Sequence, residues 1–309
     1  MGHGPWVSPR ARLATLLLSR VAGPDAARAR ARIHSTPGPR RFAPGSPVTR
    51  VHGDASMFVG GVRALLLQSL HPAAMAAVDD HSGYRADPWG RLQRTATFIA
   101  TTTFATVGHA DQAAAVVRAV HARIEGTTPD GQPYRADDPH LLQWVHVAEV
   151  ESFLQAHQRF GRRPLTPSEQ DEYVAQAARI GQLLGAPDLP RTVDELGATL
   201  RSYRPELRGT PAAVRTGHFL LHDPPIPRAV RPAYRMITGA GVGLLPSWAR
   251  AELDLGEGMP VLRRVGGHLA TRTIRWALDP AQPAPPPDAS PVPAPAGVTA
   301  PAGGRMVDR

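Results

Sequence analysis

The sequence predicts an all-α fold, a single multi-helix globular domain flanked by two compositionally biased tails. Three observations predict it. Apolar residues recur at helical spacing through the central part of the chain, helix start signals punctuate that part at regular intervals, and no alternating strand series or internal repeat is found. With 309 residues, 42% hydrophobic and 20% charged, the chain has enough apolar material for one sizeable core.

The elements follow in order. Residues 1–45 are rich in Arg, Ala, Pro and Gly and are expected to be a disordered basic segment, with a short helix at 26–32 as its one ordered candidate. Met57, Val59, Leu65, Leu66 and Leu70 predict a helix over 56–78, kinked at His71–Pro72. Asp87–Pro88 is an N-cap followed by a first-turn proline and opens a helix to about Thr106. A third helix spans 110–125 and stops at Gly126. Thr127 to Asp138 is a polar turn with Asp130–Gly131 at its tip, compatible with a small hairpin. Asp138–Pro139 opens a helix to Phe160, and Thr166–Pro167 with Glu169 opens another to about Gly185 as a capping box. Further helices are expected at 193–203, 212–221, 228–236 and 261–277. Residues 279–309 hold nine prolines with Ala and Gly and are expected to be a disordered tail, which leaves 46–278 as the folded domain.

Composition excludes several functions. The chain has no cysteine, so disulfides, zinc–thiolate sites, iron–sulfur clusters and cysteine nucleophiles are ruled out. A net charge of +9 raises nucleic-acid binding, but much of the Arg excess lies before residue 50 and no basic helix carries interleaved aromatics, so no nucleic-acid partner is expected. The longest apolar stretches fall short of a membrane span, and the run at Leu13–Leu18 is shorter than the core of a secretory signal, so a cytoplasmic location is expected. No Walker A loop, HExxH helix or nucleophile elbow occurs. The Gly239–Gly243 stretch follows no strand and lacks dinucleotide spacing, and His218 with His222 makes only a weak metal pair.

Chemistry concentrates in three blocks, LHPAAMAAVDDHSGYRADPWGRLQRT (70–95), VHARIEG (120–126) and DDPHLLQWVHV (137–147). Val117, His121 and Ile124 share a helix face, so His121 points inward as either a hydrogen-bonded core histidine or an axial metal ligand. His146, between Val145 and Val147, is either a satisfied core histidine or a group lining the same pocket. Arg91 and Thr95 lie one turn apart with Arg94 beside them. These arginines pair with Asp79, Asp80 or Asp87, or anchor the carboxylates of a cofactor.

These blocks resemble the mpaB and rubber oxygenase (latex-clearing protein) family, over about residues 50–275. The resemblance implies a mainly helical fold around a b-type haem, and oxidation with O2 of a hydrophobic, in characterised relatives isoprenoid, substrate. It places the axial iron ligand on His121, and the family's Arg-x-x-Lys-Thr pattern on Arg91, Arg94 and Thr95. Arg91 is thereby implied in cofactor binding, with Thr95 and Arg94 around the reaction, and the residue reading adds His146 as a group lining the same pocket. Two departures are visible. Arg94 stands where rubber oxygenases carry a lysine able to occupy the distal haem position, and an arginine stays protonated and ligates metals poorly. Arg118 stands at the register of the acid one turn before the axial histidine, so a rubber-type general base is not expected. The sequence identifies no electron donor. It leaves a non-catalytic haem- or lipid-binding protein, a sensor or carrier, as the alternative to an oxygenase, and a helical scaffold without cofactor as a third reading.

Overall fold

The computed structural model describes residues 25–81, 83, 87–256 and 258–278. The expectations for 1–24 and 279–309 lie outside the described residues. Within them the chain is helical apart from one two-stranded antiparallel hairpin.

The first helix, α1 (Ala26–His34), buries Ile33, and the irregular stretch after it buries Phe42 in the main core. Packed chain therefore begins before the expected boundary at 46. The reason is Arg40, whose guanidinium donates to the carbonyls of Ile33, His34, Thr36 and Phe104 and so ties the C-terminus of α1 to the domain. A short helix, α2 (Pro47–His52), follows, with Val48 and Val51 fully buried.

The helix expected over 56–78 is two helices, α3 (Met57–Gln68) and α4 (Pro72–His81), separated at Ser69–His71. Pro72 lacks an N–H and disfavours helical backbone at the residue before it, so the chain breaks there rather than bending. α3 is the central element, packed between α7 (Pro139–Phe160) and α11 (Arg231–Leu244). Glycines permit both approaches. A Cβ on Gly60 would fall 2.8 Å from the Phe153 ring, and one on Gly241 would fall 2.8 Å from Val62 Cγ1 and 3.2 Å from the Val59 carbonyl. Gly241 thus sits on the closely packed inner face of α11, Gly243 is exposed, and the Gly239–Gly243 stretch carries that helix past the expected end at Met236.

α5 (Pro88–Phe104) starts as expected, with the Asp87 carboxylate accepting from Gly90 N–H at 2.8 Å. Two residues later α6 (Val107–His121) begins, capped by Thr106. It ends at His121 because β1 (Glu125–Thr127) leaves to pair with β2 (Pro133–Arg135), which is the anticipated hairpin. α8 (Pro167–Leu183) opens on the full Thr166/Glu169 capping box. The remaining helices are α9 (Val193–Ser202), α10 (Pro211–His222), α12 (Ser247–Glu252) and α13 (Pro260–Leu278). Leu66, Leu67, Leu70, Met75, Trp144, Leu154, Tyr173 and Tyr203 form the centre of the core. No helix among the described residues is long and apolar enough to cross a membrane.

Candidate active site

α5 and α6 pack against each other and are joined by two residues, so they form a helical hairpin. Arg91 lies 13 residues before the end of α5 at Phe104, and His121 lies 14 residues after the start of α6 at Val107. The hairpin therefore brings the start of α5 and the end of α6 to one level. Arg91 is half-buried. Arg94 is mostly exposed and lies 3.6 Å from Asp87, an equally exposed partner, and Thr95 is exposed.

His121 is half-buried, yet its Nδ1 is buried without a hydrogen-bond partner among the described residues. Burial holds its pKa below the ordinary value, partly opposed by the nearby Asp137 carboxylate, so the ring is neutral at physiological pH. Arg118, one turn earlier, donates to the Leu183 carbonyl at the end of α8. The side chain at that register is thus an occupied donor and offers no base.

Arg91, Thr95, Ile99 and Thr102 continue along one stripe of α5 toward an internal cavity. It is lined by His52 at the end of α2, by Phe98, Ile99 and Thr102 of α5, by His146, Glu149 and Val150 of α7, and by Ala177 and Ile180 of α8. His146, not His121, reaches it. The cavity is narrow. The space open to the centre of a water-sized sphere is about 20 Å³, room for about one water molecule. α8 closes over His146 through Gly181, where a Cβ would lie 2.7 Å from His146 Nδ1.

The cavity holds three ionisable groups in an apolar wall. Burial pushes His146 down to about 4. Burial, with His146 and His157 nearby, pushes His52 down to about 3. His52 Nδ1 lies 2.8 Å from Thr103 Oγ1 and its Nε2 3.5 Å from the Tyr173 hydroxyl, which donates to the Val150 carbonyl at 3.4 Å. Burial pushes the Glu149 carboxyl up to about 7. Near neutral pH the site contains two uncharged imidazoles and a carboxyl poised to give or take a proton.

His52 and Glu149 are absent from the residues the sequence singled out. Glu149 had a signal, since it sits three residues after His146 on the same apolar face. His52 had none, because its six-residue helix is too short to show a period.

The Glu149 environment has a measurable consequence. A carboxyl whose pKa is raised on folding contributes its stability below about 4.5, and that contribution is lost as pH rises through about 7. Glu149→Gln should therefore melt higher than the parent at pH 8, by the equivalent of about 2–3 kcal/mol, and show little difference at pH 5. A constant offset at both pH values would show that Glu149 ionises normally.

The family described as "ER-bound oxygenase mpaB/B'/Rubber oxygenase, catalytic domain" matches residues 49–276. Neither the curated proteins nor the solved structures contain a match. The matched stretch takes in the α5–α6 hairpin, the cavity and every element from α3 to α12. The chain belongs to the mpaB/rubber oxygenase catalytic-domain family, whose named activity is that of an oxygenase.

Proposed function

We propose that this protein is a haem b-dependent oxygenase that uses O2 to oxidise a hydrophobic small molecule, with isoprenoids as the substrate class to test first. Family membership supports the oxygenase reading. The observation that carries the cofactor is the unpartnered, buried Nδ1 of His121 on a ring that burial keeps neutral. A neutral imidazole with a free nitrogen is the donor that a non-covalent haem requires, and the chain has no thiolate to serve instead. The donor set therefore fits.

His121 would hold the iron, and Arg91, at the same level of the α5–α6 hairpin, would bind a propionate through its guanidinium. When bound, the haem would supply the O2 chemistry. Thr95 and Arg94 would line the outer end of the site. The cavity beside His146 is too small for a macrocycle, so His146 and Glu149 would act on protons at one turn's remove along α5. Phe98, Ile99 and Ile180 give that cavity its apolar wall.

Arg94 and Arg118 favour a second reading, a haem-binding protein without turnover. An arginine such as Arg94 is a poor iron ligand, and the Arg118 guanidinium donates to a main-chain carbonyl. Oxygen uptake separates the two. The haem-loaded protein, given a reductant, should consume O2 in proportion to an added trisubstituted alkene. A Soret band without alkene-dependent uptake favours the sensor or carrier, and the absence of any haem spectrum removes both.

A further inference from the structure

A second group of side chains lies outside this site, at the start of α7. We propose that His71, His140 and Glu206 form a binding site for a divalent first-row transition metal, with zinc as the reference ion.

One donor atom from each residue lies within 4.8 Å of the other two. Glu206 Oε2 is 3.4 Å from His71 Nε2 and 2.9 Å from His140 Nε2. Ligands that each sit about 2.0–2.1 Å from a tetrahedral ion are spaced roughly 3.3 Å apart, so these separations need little adjustment. Two imidazoles and a carboxylate suit zinc, iron, copper or nickel rather than calcium or magnesium.

The second observation is the state of His71. Its side chain is nine-tenths buried, and neither ring nitrogen has a hydrogen-bond partner among the described residues. Its 3.4 Å contact with the Glu206 carboxylate makes no hydrogen bond, and a buried imidazole left so costs free energy. Its position is set by the break between α3 and α4, where Pro72 fixes the chain, and the Trp144 ring lies beside it, 6.2 Å between centroids. A metal bond to Nε2 would satisfy it.

His140 is held for the same purpose. Its ring stacks on Tyr203, with centroids 4.5 Å apart, and its Nδ1 is 3.2 Å from the Tyr203 hydroxyl. That hydroxyl donates its single proton elsewhere, to the His140 carbonyl at 2.8 Å or to Gln143 Oε1 at 2.9 Å. In the metal-bound state it would be free to accept from Nδ1–H, which would turn the Nε2 lone pair to the ion in place of the hydrogen bonds Nε2 donates to the Glu206 oxygens at 3.0 and 2.9 Å. Metal-ligating histidines are characteristically oriented through their other nitrogen in this way. His140 and Glu206 are each about half-exposed, so an ion can enter from solvent and keep a water as its fourth ligand. The site would join the α3–α4 break, the start of α7 and the turn at Arg204–Glu206, three segments distant in sequence.

The test uses the full-length chain stripped with a chelator, then titrated with zinc in competition with a chromophoric chelator, and with cobalt to read ligand-field absorption. One zinc equivalent should bind, raise the melting temperature, and be replaceable by cobalt with the visible bands of a four-coordinate site. Glu206→Gln, a half-exposed position, should weaken zinc at least tenfold and abolish the thermal shift, and His71→Ala should do the same if it folds. His218→Ala/His222→Ala controls for the exposed pair, whose rings lie 4.8 Å apart. Unchanged one-equivalent binding in Glu206→Gln overturns the proposal, as does binding that vanishes in the His218/His222 variant. Because His121 is untouched, loss of zinc with a normal haem spectrum also separates this site from the haem reading.

Discussion

Replacing Arg63 with Met is expected to destabilise the protein by about 3–5 kcal/mol, the cost of breaking a buried ion pair from one side. Arg63 is 2% exposed, in the middle of α3. Its guanidinium pairs with Glu151, donates to Ser152 Oγ at 2.6 Å, and through Nε donates to the Leu244 carbonyl at 3.0 Å. One side chain thus satisfies groups on both helices that flank α3, including the C-terminal end of α11. Met fills similar volume but donates nothing, so the partly buried Glu151, the Ser152 hydroxyl and the Leu244 carbonyl lose their shared donor. Denaturant unfolding of the two proteins measures the difference. A loss below about 1 kcal/mol would show that these groups reach water or other partners, and that the α3–α7–α11 interface rests on apolar packing alone.

The second large effect belongs to Asp54. Its carboxylate receives a two-pronged contact from Arg275, Nε to Oδ2 at 2.9 Å and a terminal nitrogen to Oδ1 at 2.8 Å, with both side chains largely buried. Arg275 also donates to the Phe160 carbonyl. The pair clips the C-terminal half of α13 to the turn before α3 and to the end of α7. Burial by itself would raise the Asp54 pKa. The hydrogen bonds from Arg275 and from the Ser56 N–H, with the Arg275 charge, reverse that and hold it below its ordinary value. A carboxylate with a depressed folded pKa stabilises above its unfolded value and loses that contribution as pH falls through the folded one. Asp54→Asn should therefore cost about 3–5 kcal/mol at pH 7, on the order of 10 °C in melting temperature, and the gap should narrow below about pH 4. Equal melting of the two proteins at pH 7 would mean that α13 is held without this clip.

Local chemistry made most of the fold legible. The caps at Asp87, Asp138 and Thr166 act within three residues, so the starts of α5, α7 and α8 are readable directly. Where long-range packing decides, the reading slips. Gly239–Gly243 has the composition of a breaker, yet α11 runs through it, and Gly241 lets its backbone meet Val59 and Val62. The 25–45 stretch has no apolar period, but Arg40 reaches across 64 residues to the Phe104 carbonyl. The site divides in the same way. Arg91, Arg94, Thr95 and His121 stand out in motifs. The joining of His146 with His52, and of His71 with Glu206, depends on how separate helices pack, which no spacing encodes.

Whether His121 would hold a haem iron is read from the absorption spectrum of His121→Ala beside the parent protein, both produced with added haem precursor. The parent should show a Soret band. His121→Ala should lose it or shift it strongly while its far-UV helicity stays unchanged, because one ligand bond does not hold the helical core together, and His71→Ala and His81→Ala should keep it. A Soret band in His121→Ala identical to the parent's would contradict the assignment.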